Sequence, residues 1–150
     1  MNAIRTTVFA AFVTLSCVAS AATPEQQKAF ADAYSKAYEG KDAKTLHSLL
    51  YTKGADPEAL KFYRMAMTDG MGSKINSIKI EPLSAEDTTR VNATRPGADG
   101  KMLKLGLPPT MKLIISVEKK YPGGTSTSTN SVYVAEHEGK LVIPVPVPVK

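Results

Sequence analysis

The sequence predicts an α+β domain, with helices in the first half of the chain packed on an antiparallel sheet built from the second half. Three observations predict it. Up to Gly72, apolar residues recur at three- and four-residue spacing, which gives a helix one buried face. After Gly72 they alternate, as in Ile78-Lys79-Ile80 and from Met111 to Val117, the period of a half-buried strand. Two reversal signals, Pro122-Gly123-Gly124 and Glu138-Gly139, then divide the last strands into an antiparallel meander. Helices preceding strands in this way imply a sheet that curls its apolar face around them.

The stretch before the first helix has another character. Arg5 precedes an apolar run from Val8 to Val18, broken only by Thr14 and Ser16, and Ala19-Ser20-Ala21 follows. A positive start, a short apolar run and a small-x-small end are the parts of a secretory signal, and the run is too short to remain as a membrane span. Residues 1–21 are therefore expected to be a signal peptide, residues 22–150 one exported domain, and the destination the periplasm or the extracellular space. Cys17 offers a second reading as a lipidation site, but Thr14 stands where that signal takes Leu or Val. Cys17 is also the only cysteine. Cleavage at Ala21 leaves no thiol for a disulfide, a nucleophile or a metal.

The chain carries 19 Lys and Arg against 14 Asp and Glu, a formal charge of +5 to which Arg5 contributes one unit. The remaining lysines are spread out, with Lys119-Lys120 the only adjacent basic pair, and Arg64, Arg90 and Arg95 the only other arginines. A nucleic-acid surface clusters arginines with aromatics, so nucleic acid is not expected as a partner. A chain of this length buries about two thirds of its unfolded surface, enough for one core.

Each helix has a start and a stop. Thr23-Pro24-Glu25-Gln26 is a capping-box start; Phe30, Ala33, Tyr34, Ala37 and Tyr38 form the apolar face, and Gly40 suits a left-handed end. Asp42 caps a second helix with a stripe of Leu46, Leu49 and Leu50, closed by Gly54. Asp56-Pro57-Glu58 starts a third, with Leu60, Tyr63 and Met67 inside and Gly70 and Gly72 at its end. Ile78 and Ile80 begin the strands, and Pro82 limits that strand's pairing. Residues 84–110 read as a polar loop holding a short hairpin around Met102, Leu103 and Leu105. The Pro-rich tail, residues 144–150, is expected to run extended along a sheet edge.

The run from Phe30 through Gly40-Lys41-Asp42 to Leu46 resembles the opening of the nuclear-transport-factor-2-like superfamily, to which ketosteroid isomerases and SnoaL-type polyketide cyclases belong. There an aromatic-rich first helix ends in a Gly-x-Asp turn before a leucine-striped second helix. The resemblance implies a cone-shaped, cystatin-like roll with N-terminal helices on a curved antiparallel sheet and a pocket at its open end. It also implies that Tyr34, eight residues before Asp42, matches the oxyanion-binding tyrosine of the isomerases, and that Asp56 superficially matches their general base. Members range from isomerases and dehydratases to non-catalytic binding domains, so fold alone selects no function.

Four residues, Tyr34, Tyr38, Tyr63 and Met67, are the candidate ligand contacts, because tyrosines and methionines line irregular apolar cavities. Tyr51, Met65 and Met71 add to the same richness, and packing between helices and sheet explains any one of them without a ligand. Tyr34, His47 and Asp56 are the only candidates for catalysis. A phenol in an apolar cavity can donate to a developing enolate, but it needs a base, and an aspartate capping a helix is held ionised by backbone amides. His47 sits at the edge of its helix's apolar stripe, a position more typical of structural histidines. His137, in Glu136-His137-Glu138-Gly139, reads as a solvated turn rather than a metal ligand, and no metal or cofactor is expected. The hydroxyl run Thr125–Ser131 reads as an exposed strand end, with no base to activate it. Asn92-Ala93-Thr94 fits a glycosylation sequon.

These features favour an exported protein that binds a small apolar or amphipathic ligand, or a protein partner, without catalysis. Two alternatives stay open: an isomerase or dehydratase acting next to a carbonyl, and a homodimerising structural module.

Overall fold

A computed structural model describes residues 22–150, and the expected signal peptide lies outside them. The first helix, α1 (Pro24–Glu39), starts on the expected capping box: Thr23 Oγ1 accepts from the Gln26 amide at 3.2 Å, and Gln26 Oε1 accepts from the Thr23 amide at 2.7 Å. Phe30, Tyr34, Ala37 and Tyr38 are its buried face. Its end differs from expectation. Gly40 keeps a right-handed conformation, and Lys41, at φ 58°, takes the left-handed position. The Asp42 amide then donates to the Ala37 carbonyl (2.8 Å) and the Lys41 amide to that of Tyr38 (3.3 Å), the paired bonds that close a helix in a Schellman turn.

Asp42 caps α2 (Ala43–Ser48) through the Thr45 amide at 3.0 Å. This helix is shorter than its leucine stripe predicts. The chain leaves it after Ser48, and β1 (Leu50–Tyr51) pairs in parallel with a later strand. There the Leu49 carbonyl accepts from Ile143 at 2.8 Å and that of Tyr51 from Val145 at 3.3 Å. Leu46 and Leu50 are still buried; the sheet, rather than another helical turn, satisfies the backbone. Asp56 caps α3 (Pro57–Thr68), whose amphipathic face includes buried Met67.

After the glycine-rich turn, β2 (Ile75–Pro82) carries a bulge between Ile75 and Ser77, which adds local twist. The segment expected to be loop then folds as α4 (Ala85–Asn92). Ser84 and Asp87 form its capping box, and a single buried apolar residue, Val91, is too little for a helical period to be legible. The expected hairpin follows as β3 (Arg95–Pro96) and β4 (Met102–Leu105).

The remaining strands are β5 (Met111–Tyr121), β6 (Gly124–His137), β7 (Lys140–Pro144) and β8 (Pro146–Pro148). The main sheet has the order β1-β7-β6-β5-β2, antiparallel except at β1, and it curves around the N-terminal helices. The tail does run extended beside a strand: β8 pairs antiparallel with β4, giving a second sheet of order β3-β4-β8. Prolines can sit there because only one edge of β8 needs amide donors; the Pro146 carbonyl, on its other side, accepts from the Asp56 amide at 2.9 Å. Leu46, Leu113, Val134, Ile143 and Val145 are completely enclosed and join the buried face of α1 in one hydrophobic core.

Candidate functional site

The core thins out at one end, and the register of β5 against β6 explains why. Met111 faces Val134 and Leu113 faces Val132, apolar against apolar. The next two inward pairs are Ile115 with Asn130 and Val117 with Ser128. Small polar groups thus replace branched ones on the inner face of β6. At the same point β7 has ended, because it pairs only with Ala135–His137. The result is a cavity of about 460 Å³ between α1, α3 and the sheet, within the ~300–1,000 Å³ typical of small-molecule sites.

Tyr34, Tyr38, Tyr63 and Met67 all line this one cavity. Tyr34 and Tyr38 sit one helical turn apart with stacked rings, centroids 6.1 Å apart and planes at 15°. The Tyr38 hydroxyl donates to the Asp69 carbonyl at 2.8 Å. Among the described residues the Tyr34 hydroxyl makes no hydrogen bond, and no buried side-chain polar atom is left enclosed without a partner. It therefore points its donor into space a guest can reach. Burial, reinforced by the neighbouring Tyr38, pushes the Tyr34 phenol up to about 12. Burial also raises the Tyr63 phenol, against the opposing charge of Arg95.

The candidates for catalysis do not come together. Asp56 is 5% exposed, but its carboxylate accepts from the Ala59 amide at 2.9 Å and is not part of the cavity wall. The His47 ring lies 3.3 Å from the Arg64 carbonyl, outside the same wall. Neither reaches Tyr34 as a general base must. The tyrosine and methionine richness also divides: Met65 is exposed on the far side of α3, and Tyr51 packs edge-on against His137 with centroids 4.7 Å apart. Among the described residues no group of three His, Cys, Asp or Glu side chains is placed to hold a metal ion. Among them, too, no helix is long and apolar enough to cross a membrane.

No family model matches the chain, and no curated protein or solved structure matches it.

The rest of the wall was not legible from local pattern. Phe62, 59% exposed, forms the rim on α3, while Asn130, Ser131, Val132 and Tyr133 supply the strand side. The mouth carries a loose ion pair, Lys119 Nζ to Asp69 Oδ2 at 3.8 Å. Tyr133 has a second role. Its hydroxyl donates to Asp87 at 3.3 Å, and Lys112 donates to the same carboxylate at 2.7 Å, fastening α4 to the outer face of the sheet. Hydrogen bonds from Lys112 and Ser84 hold the Asp87 carboxyl well below the usual range.

Proposed function

We propose that this protein is a non-catalytic binder of a small apolar or amphipathic ligand, held in the cavity between α1, α3 and the curved sheet. One observation carries the reading: the Tyr34 hydroxyl, unbonded among the described residues, faces a largely apolar space of about 460 Å³. Such a site holds a guest by burial and offers it one donor. Catalysis next to a carbonyl needs a base beside the phenol, and Asp56 and His47 are both engaged elsewhere. The helix order and the curved sheet support placing the chain near the nuclear-transport-factor-2-like superfamily. The character of residues 1–21 supports export.

Titration of the purified protein with the neutral fluorophore Nile red tests the reading. Saturable binding is expected in the wild type and lost in Ala66→Trp, because Ala66 lines the cavity from an exposed position where an indole fills the space without disturbing the core. Undiminished binding in a folded Ala66→Trp variant contradicts it. Turnover of a small carbonyl substrate that disappears in Tyr34→Phe would instead establish the enzyme.

A further inference from the structure

A second, smaller cavity of about 140 Å³ abuts the first on the other side of Tyr63 and Tyr133, which line both. Its lining is also largely apolar, and it differs in the charges it carries. Arg90, Arg95 and Lys104 are in its wall, with no acidic residue among its lining. Arg90 is engaged by Glu86 one turn away, but among the described residues no carboxylate lies within ion-pair distance of Arg95 or Lys104. The nearby Asp87 is already shared by Lys112 and Ser84. The guanidinium of Arg95 is close enough to oppose the upward shift of the Tyr63 phenol, and that of Arg90 does the same at Tyr133. A large chamber and a small one with cationic side chains in its wall therefore share two tyrosines.

We propose that the ligand is a carboxylate-bearing amphiphile, its apolar chain in the large cavity and its carboxylate at Arg95, with Arg90 as the second cation. The inference rests on the binding reading above and names its ligand class. A guanidinium presents a planar pair of donors that matches a carboxylate. The cations add long-range attraction that a neutral guest of the same length does not feel. Tyr63 and Tyr133, which line both cavities, offer aromatic surface to the chain between the two ends, while the Tyr133 hydroxyl stays on Asp87.

Calorimetric titration of the purified protein with decanoate and, separately, with decanol tests the inference. The expected result is a preference for decanoate of roughly tenfold, the ratio for one charged contact worth ~1.4 kcal/mol, weakening as salt is raised. In Arg95→Gln the ratio falls to about one, while Arg95→Lys keeps part of it. Arg95 is exposed, so these variants are expected to fold. Equal affinity for the two compounds in the wild type overturns the carboxylate inference and leaves the cavity reading intact. A preference that survives in the double variant Arg90→Gln/Arg95→Gln overturns it as well. If neither compound binds, the cavity reading falls and the inference with it.

Discussion

Tyr34 and Tyr38 lie one turn apart on α1 with their rings stacked, yet among the described residues only Tyr38 of the two gives its hydroxyl to a protein acceptor, at 2.8 Å to the Asp69 carbonyl. The two phenols are therefore expected to separate in mutagenesis. Tyr38→Phe removes a native hydrogen bond and costs about 1 kcal/mol of stability. Tyr34→Phe removes none, so denaturant melts are expected to match the wild type, while Nile red or decanoate affinity changes only where the guest uses that donor.

Alkaline pH gives a second test of Tyr34. The Tyr34 phenol is raised from 10.0 to about 12 by folding, so the folded state binds its proton more tightly than the unfolded chain. That contribution is fully present below pH 10 and is lost as pH rises through about 12. Urea melts at pH 8 and pH 11 are expected to show a loss of stability in the wild type that is smaller in Tyr34→Phe. An identical loss in both proteins means that Tyr34 is not protected from solvent.

Asp56 is a structural cap. Its carboxylate serves the Ala59 amide and its own amide serves the Pro146 carbonyl, which joins α3 to the tail strand. Asp56→Ala is expected to cost about 1–2 kcal/mol in thermal or denaturant unfolding, with the affinity of the folded protein for Nile red unchanged. Loss of binding in a stable Asp56→Ala protein would return this residue to the site.

Asn130 holds the cavity open, because it occupies an inward position opposite Ile115 where Val132 and Val134 set an apolar precedent. Asn130→Leu is expected to raise stability by about 1 kcal/mol through added burial and to weaken Nile red binding at least severalfold. Stabilisation gained by closing a site is the usual exchange between function and packing. Stronger binding with lower stability would show that Asn130 points elsewhere.

Asp87, through Lys112 and Tyr133, fastens α4 to the sheet. Its carboxyl is lowered by folding, so the contribution is present above the unfolded value of 3.8 and disappears as pH falls toward the folded one. Asp87→Asn is expected to lower the melting temperature at pH 7 and to flatten the acid limb of the stability profile. Equal acid limbs in variant and wild type would show that Lys112 and Asp87 act independently.

Local signals in the sequence carried most of the fold. The Thr23–Gln26 box, the Asp42 and Asp56 caps and the two hairpin turns all act over a few residues, and each lies where it was expected. What depended on distant partners was not legible. The leucines after Ser48 fit a helix equally well until β7 arrives to pair with them. Ser84 and Asp87 cap α4, but with Val91 as its sole buried residue the helix has no apolar stripe to set it apart from a polar loop. Four cavity residues came from composition, whereas Asn130 and Ser131 belong to the hydroxyl run read as an exposed strand end; they are exposed, and only the pairing of β5 with β6 places that end beside the cavity.

The most direct measurement is a crystal structure of the protein purified from the compartment in which it resides, refined for density in the cavity beside Tyr34. The binding reading predicts an elongated guest in contact with the Tyr34 hydroxyl, its polar end toward Arg95. A cavity collapsed around Tyr63 and Met67, with the Tyr34 hydroxyl bonded to the protein itself, would contradict it.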